Sequence, residues 1–156
     1  MLKPGDLAPE FSLPSGEGSI VRLKEHRGTR VVLFFYPDDD TPTCTQQACA
    51  FRDGVPQIKQ HNAMVLGISP DPVKSHLKFA RKYGLSYPLL SDESKQVHKL
   101  YGVWKKKKLF GREYMGVIRT TFVIDERGRI HHIFSKVRIK KHVENVLTIL
   151  KAMNGA

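Results

Sequence analysis

The apolar residues of this chain fall into short runs separated by polar turns. Val31–Tyr36 (VVLFFY) is an unbroken β-branched and aromatic run closed by Pro37, the pattern of a strand buried on both faces. Ala63–Ser69 (AMVLGIS) repeats that pattern, and Val117–Ile124 reads as a third strong strand. An Asp125-Glu-Arg-Gly128 turn then leads back through Arg129–Ser135, predicting a hairpin. Ile20–Leu23 and Tyr87–Leu90 are shorter strand candidates. Between these runs the period becomes helical. Thr43–Arg52 predicts a helix, disturbed by Gly54 and Pro56 before a further helical piece to His61. Pro72 opens a helix with Val73, Leu77, Ala80 and Gly84 on one face. A short helix is expected over Ser94–Tyr101. The last, Lys140–Met153, carries Val143, Val146, Leu147, Leu150 and Met153 on one stripe. Alternation of this kind predicts an α/β domain, 1–156, with a mixed central sheet flanked by helices.

Composition narrows the class. With 156 residues, 40% hydrophobic and 26% charged, the chain can bury an ordinary core and is neither disordered nor of low complexity. Its longest apolar runs fall far short of the roughly 18 residues needed to cross a bilayer. The N-terminal MLKPGDLAPEF lacks an apolar signal core, so a cytoplasmic location and no membrane partner are expected. The net charge of +11 points to an anionic partner, but it is unevenly spread. Residues 1–94 hold 11 basic and 11 acidic side chains; residues 95–156 hold 15 basic and 4 acidic ones.

Candidate chemistry is concentrated in Tyr36-Pro-Asp-Asp-Asp-Thr-Pro-Thr-Cys44-Thr-Gln-Gln-Ala-Cys49. With Thr41 as N-cap and Pro42 at the first helical position, Cys44 lies in the first turn, beside unpaired backbone N–H groups and the positive end of the helix dipole. That setting stabilises negative charge on sulfur, and the thiolate is the nucleophile. Thr41 can place a hydroxyl near the sulfur. The alternative is that Cys44 is simply a small buried hydrophobe. Asp38, Asp39 and Asp40 oppose a neighbouring thiolate unless they are solvated turn acids, which is the expected arrangement. Cys49 follows five residues later, about 7.5 Å along and 140° around a continuous helix. A disulfide needs Cα atoms within roughly 7 Å. The pair therefore never joins, or joins only where the helix opens; on spacing alone Cys49 reads as a core thiol. No C-x-x-C pair, phosphate loop or metal-ligand spacing is present, and no metal or other cofactor is expected. His131 and His132 are adjacent on a strand and point to opposite faces.

Pro37-x-x-x-Thr41-x-x-Cys44 resembles the peroxidatic-cysteine signature of the peroxiredoxins. FFYPDDDTPTCTQQACAFRD, with its second cysteine at plus five, is similar to the bacterioferritin-comigratory-protein (peroxiredoxin Q) subfamily. LKPGDLAPEF, YPLLSD, YGVW and GREYMGVIRTTFVIDERG extend the resemblance along nearly the whole chain. Thr43 departs from it, standing where the subfamily usually has Gly, and the acidic run is unusually negative. The resemblance implies a thioredoxin-like fold, in keeping with the terminal hairpin and helix after a βαβ unit. It also implies a peroxidase that reduces hydrogen peroxide and organic hydroperoxides. Cys44 would be the attacking thiolate, and Arg119 the cation that stabilises it and the developing charge on the leaving oxygen. Thr41 would hold the peroxide oxygens in line and Pro37 would shield the sulfenate. Cys49 would resolve the sulfenic acid as an intramolecular disulfide, recycled by thioredoxin or a similar dithiol reductant, in a monomer. On the pattern alone, Arg119 alternates with Val117, Thr121 and Val123 on one strand face, where an unpaired cation is costly.

Two other readings compete. Lys105–Lys108, Lys136, Arg138, Lys140 and Lys141, with Trp104, Phe110, Tyr114 and Phe134 near them, could form a nucleic-acid- or surface-binding module, although lysine runs are more often solvated loops or faces and no base-stacking platform accompanies them. A protein thiol-disulfide oxidoreductase would also use two cysteines, but not at this spacing. Phe11, Phe34, Trp104 and Phe110 are candidates for an apolar entrance. The basic excess is expected to steer an acidic reductant protein.

Overall fold

The computed structural model describes residues 1–155. In chain order the strands and helices are β1 (Ser12–Pro14), β2 (Ile20–Arg22), β3 (Arg30–Phe35), α1 (Pro42–Lys59), β4 (Ala63–Ser69), α2 (Val73–Tyr83), β5 (Leu89–Ser91), α3 (Gln96–Leu100), β6 (Trp104–Leu109), β7 (Arg112–Val117), β8 (Thr120–Ile124), β9 (Ile130–Ser135) and α4 (His142–Asn154). The central sheet runs β5-β4-β3-β8-β9. β3, β4 and β5 are parallel, while β8 runs antiparallel to β3, and β9 to β8. This is the mixed sheet that the strand and helix alternation predicts.

The run VVLFFY is apolar at every position because both faces of β3 are covered. Val31, Leu33 and Phe35 enter one core with Leu66, Ile68, Phe122 and Tyr101. Val32, Phe34 and Tyr36 enter the other with Cys44, Phe51, Phe79, Val123, Val146 and Leu150. That second core is roofed by α1, α2 and α4. Phe51 stacks on Phe34 at 4.7 Å between ring centroids, fixing α1 against β3.

Three expectations are corrected. First, α1 is one continuous helix through Gly54 and Pro56. Gly54 is buried, and a Cβ there would lie 2.8 Å from Val143 Cγ1; its role is close approach to α4, not helix breaking. Second, Val117–Ile124 is two strands, broken at Ile118–Arg119. The break shifts the phase, so Val117 packs in the core opposite to Val123. Third, of the solvated loop or face expected for Lys105–Lys108, the structure has the face and not the loop. The run lies in β6, paired with β7 from Trp104↔Val117 to Leu109↔Arg112. The two-residue link Phe110-Gly111 has φ of +50° and +77°, the left-handed pair of a tight hairpin turn.

Candidate active site

Cys44 sits where β3 hands over to α1. Thr41 is the N-cap, with extended φ of −93° and ψ of 156°, and Pro42 opens the helix, costing no hydrogen bond there. Cys44 is the third helical residue and is 2% exposed. It heads a stripe of buried positions, Cys44, Gln47, Ala48, Phe51 and Ile58, at helical spacing on the inner face of α1.

Arg119 comes to it from the residue just before β8, the neighbour of β3 in the sheet. Its Nη2 donates to Cys44 Sγ at 3.3 Å, and its Nη1 donates to Gln47 Oε1 at 2.5 Å. One guanidinium thus spans a sulfur and an amide one helical turn apart, and stabilises negative charge on the sulfur. Arg119 lies in the gap between β7 and β8, not within a continuous strand. Its carbonyl accepts the N–H of Val137, which ties the gap to the segment after β9. Gln47 is 1% exposed and its Nε2 has no protein partner. The sequence reading passed over Gln47; its position three residues after Cys44 on an apolar helix face was the available signal.

Thr41 does not bond the sulfur. Its hydroxyl donates to the Asp38 carbonyl at 3.0 Å, leaving its lone pairs free to accept. Pro37 is half-buried at the start of the same loop. Cys49 is a half-buried free thiol in the middle of α1. It lies near Tyr87 and Arg52: burial, with the charge of Cys49 next, holds the Tyr87 phenol well above its usual range, and the Tyr87 hydroxyl donates to the Ala48 carbonyl at 2.6 Å. The unbroken helix keeps Cys44 and Cys49 apart, as the spacing requires.

Of the acidic run expected to be solvated turn residues, Asp39 is the exception. Asp39 is buried, with its side chain 4% exposed. It accepts from Tyr36 Oη at 2.6 Å and Ser75 Oγ at 2.7 Å, and its Oδ2 lies 2.8 Å from His76 Nδ1. His76 Nε2 donates to the Leu90 carbonyl at 3.0 Å. The Asp39 N–H donates to Asp71. Asp40 pairs with Lys82 at 2.7 Å and accepts from Tyr83. Asp38 and Asp40 are exposed as expected; partial burial, followed by Asp71, raises the Asp38 carboxyl above the usual range. Asp39 and Asp40 therefore staple the Cys44 loop to α2. A polar residue run read locally gives no sign of partners more than 30 positions distant.

Behind Arg119, Thr121 Oγ1 lies 2.9 Å from His142 Nε2. His142 opens α4, buried edge-on between Phe51 and Phe134. Burial, with Arg119 second, lowers its pKa from 6.5 to about 4, so its ring is neutral in neutral solution. Of the aromatic residues expected at an entrance, Phe34 is packed under α1, Phe11 is in the opposite core and Phe110 is at the far tip of the β6–β7 hairpin.

A helix-capped, buried thiol facing an arginine on a five-stranded mixed sheet defines a thioredoxin-like thiol enzyme. More particularly, the chain belongs to the AhpC/TSA family, which matches residues 4–133. It is similar to a Coxiella burnetii protein named as a Bcp peroxiredoxin, at 46% identity over 94% of this chain and 97% of that one. It is 44% identical to the Escherichia coli peroxiredoxin Bcp, over 96% of each. The solved structure of Xanthomonas campestris bacterioferritin comigratory protein superposes with a TM-score of 0.88 at 34% identity, covering 92% of this chain and 91% of that one.

Proposed function

We propose that the protein is a thiol peroxidase in which Cys44 attacks the peroxide, Cys49 resolves the product and a dithiol protein of the thioredoxin type restores both thiols. The observation that carries this reading is the guanidinium of Arg119 held 3.3 Å from a buried sulfur at a helix N-terminus. The Cys44 thiolate attacks the terminal peroxide oxygen; an S–O bond forms as the O–O bond breaks. The sulfur loses two electrons to become a sulfenic acid, and the leaving oxygen departs as water or alcohol after taking a proton. Arg119 stabilises the charge that gathers on that oxygen. Thr41 Oγ, its own hydrogen given to Asp38, accepts from the peroxide O–H, and Pro37 covers the sulfenate. The Cys49 thiol then displaces hydroxide from the sulfenic acid, which leaves as water, and an intramolecular disulfide forms without a second copy of the chain. The dithiol reductant reopens it by exchange. Organic hydroperoxides are included because the Xanthomonas relative's structure was reported for alkyl peroxide reduction.

The disulfide requires the N-terminal half of α1 to unwind, since an intact helix holds the two residues about 140° apart. Hydrogen exchange of the oxidised protein should show lost protection over residues 43–52. An unchanged helix in the disulfide form would rule out Cys49 as resolver. In stopped-flow oxidation by hydrogen peroxide and an alkyl hydroperoxide, Cys44→Ser should show no reaction. Cys49→Ser should be oxidised once and then recycle poorly with thioredoxin. Full turnover by Cys44→Ser would end the peroxidase reading.

A further inference from the structure

The β6–β7 hairpin is a strongly charged feature to which the chemistry above gives no role. The two strands pair only with each other. Phe110 at the tip is 96% exposed, and Leu109, Met115 and Tyr114 are about half exposed. Five cations, Lys105–Lys108 and Arg112, accompany them, with Glu113 as the sole acid, paired to Lys106 at 3.2 Å. The strand register sorts these residues onto two faces. Lys106, Lys108 and Met115 share one; Lys105, Lys107, Leu109, Arg112 and Tyr114 share the other. Each face is thus both basic and apolar; Leu109 lies at the tip beside Phe110, Tyr114 opposite Lys107 midway, and Met115 opposite Lys106 nearer the base.

The turn makes the tip residue notable. Phe110 has φ of +50°, a region where Asn or Gly is at ease and a bulky aromatic is strained. Nothing in the fold gains from it, since the ring contributes to neither core. The hairpin also leaves the body at the end of the sheet that carries the thiol. β7 ends two residues before Arg119, and Thr120, which opens β8, pairs with Phe35, the last residue of β3 before the Cys44 loop.

We propose that this hairpin is a docking finger for anionic lipid bilayers: Leu109 and Phe110 enter the interfacial layer while Lys105, Lys108 and Arg112 meet headgroup phosphates; Lys107 donates to the Val117 carbonyl at 3.0 Å and Lys106 pairs with Glu113. A rigid protein or nucleic-acid partner would engage one face of a projecting rod and leave the other face charged and bare. A lipid surface entered by the tip meets both faces at once, and it accepts an aromatic apex ringed by cations. The expectation of no membrane partner rested on the absence of a spanning segment, and no helix among the described residues is long and apolar enough to cross a membrane; peripheral docking needs none. Taken with the peroxidase reading above, on which this consequence rests, docking turns the Cys44 end of the sheet towards hydroperoxides of acyl chains.

The test is co-sedimentation of the full chain with vesicles of phosphatidylcholine alone and of phosphatidylcholine mixed with phosphatidylglycerol. Binding should require the anionic lipid and weaken with salt. Charge reversal at Lys105 or Lys108 should weaken it about five-fold or more. Phe110→Asn should weaken it by about ten-fold; Asn suits the turn better than Phe, so a lost hairpin cannot explain that loss. Phe110→Trp should give blue-shifted apex emission on binding. No binding to anionic vesicles, undiminished binding by Phe110→Asn, or finger-dependent binding to duplex DNA or an acidic protein in place of vesicles would overturn the proposal. Oxidation of Cys44 by hydrogen peroxide without vesicles should be unchanged in these variants. If the unmodified protein shows none, the peroxidase reading fails while the vesicle result stands.

Discussion

At the level of single residues, the site turns on how one guanidinium is held. Arg119 donates to both Cys44 Sγ and Gln47 Oε1, so Gln47 acts through Arg119 as a positioning residue. Gln47→Ala should lower kcat/KM for peroxide roughly ten-fold, about 1.4 kcal/mol of transition-state stabilisation. Arg119→Lys should lose more, about a hundred-fold, because an ammonium cannot bridge the two acceptors in the fixed geometry of a guanidinium. Stopped-flow oxidation of the reduced variants measures both, and equal rates for Gln47→Ala and the unmodified protein would remove Gln47 from the site. Cys44 was legible in the sequence because strand, turn, Thr-Pro and cysteine follow one another within a few residues. Arg119 was legible through chemical need and resemblance, although its place on a continuous strand was not correct. Gln47 was not, because a glutamine within a helix is by default a solvent-facing residue. Nor was Asp39, whose bonds to Ser75 and His76 depend wholly on how α2 folds back.

At the level of elements, buried strands were the most legible feature: Ala63–Ser69 coincides with β4, and β3 is displaced by one residue. Unbroken apolar runs of that length have few alternatives. The hairpin was missed because Lys105–Lys108 has no alternation of its own; β6 exists through its pairing with β7 and a tight turn. α1 was divided because Gly54 and Pro56 weaken a helix when considered locally. In the fold, Gly54 instead supplies room for Val143, and Pro56 is on the solvent side. Gly54→Ala should therefore destabilise the protein by about 1–3 kcal/mol through overpacking, against the modest gain a helix interior would otherwise take from alanine. Urea unfolding checks this. The double variant Gly54→Ala/Val143→Ala should recover part of the loss, with a coupling of about 1 kcal/mol; additive losses would mean that α1 and α4 do not meet there.

At the level of the whole molecule, β8, β9, α1 and α4 converge on His142, and that convergence sets a pH dependence. The ring is 3% exposed, edge-on to Phe51 and Phe134, with Nε2 against Thr121 and the cation of Arg119 nearby. Folding lowers its pKa from 6.5 to about 4. Between those values the unfolded chain holds a proton that the folded chain refuses, so stability falls as pH drops through that window and levels off below it. By the lower end the loss from this one group should reach roughly 2–3 kcal/mol. Urea unfolding of the unmodified protein and of His142→Gln, followed from near neutrality to about pH 4, isolates the effect. Other titrating groups, including the buried Asp39–His76 and Asp92–His98 pairs, are common to both proteins and cancel in the difference. His142→Gln should be less stable at neutral pH, because it packs less well between the two rings, yet should lose less on acidification, so the two stability curves converge towards pH 4. Parallel curves would mean that His142 takes up its proton without resistance from the fold, and that the roof over the Cys44 face is looser than its packing indicates.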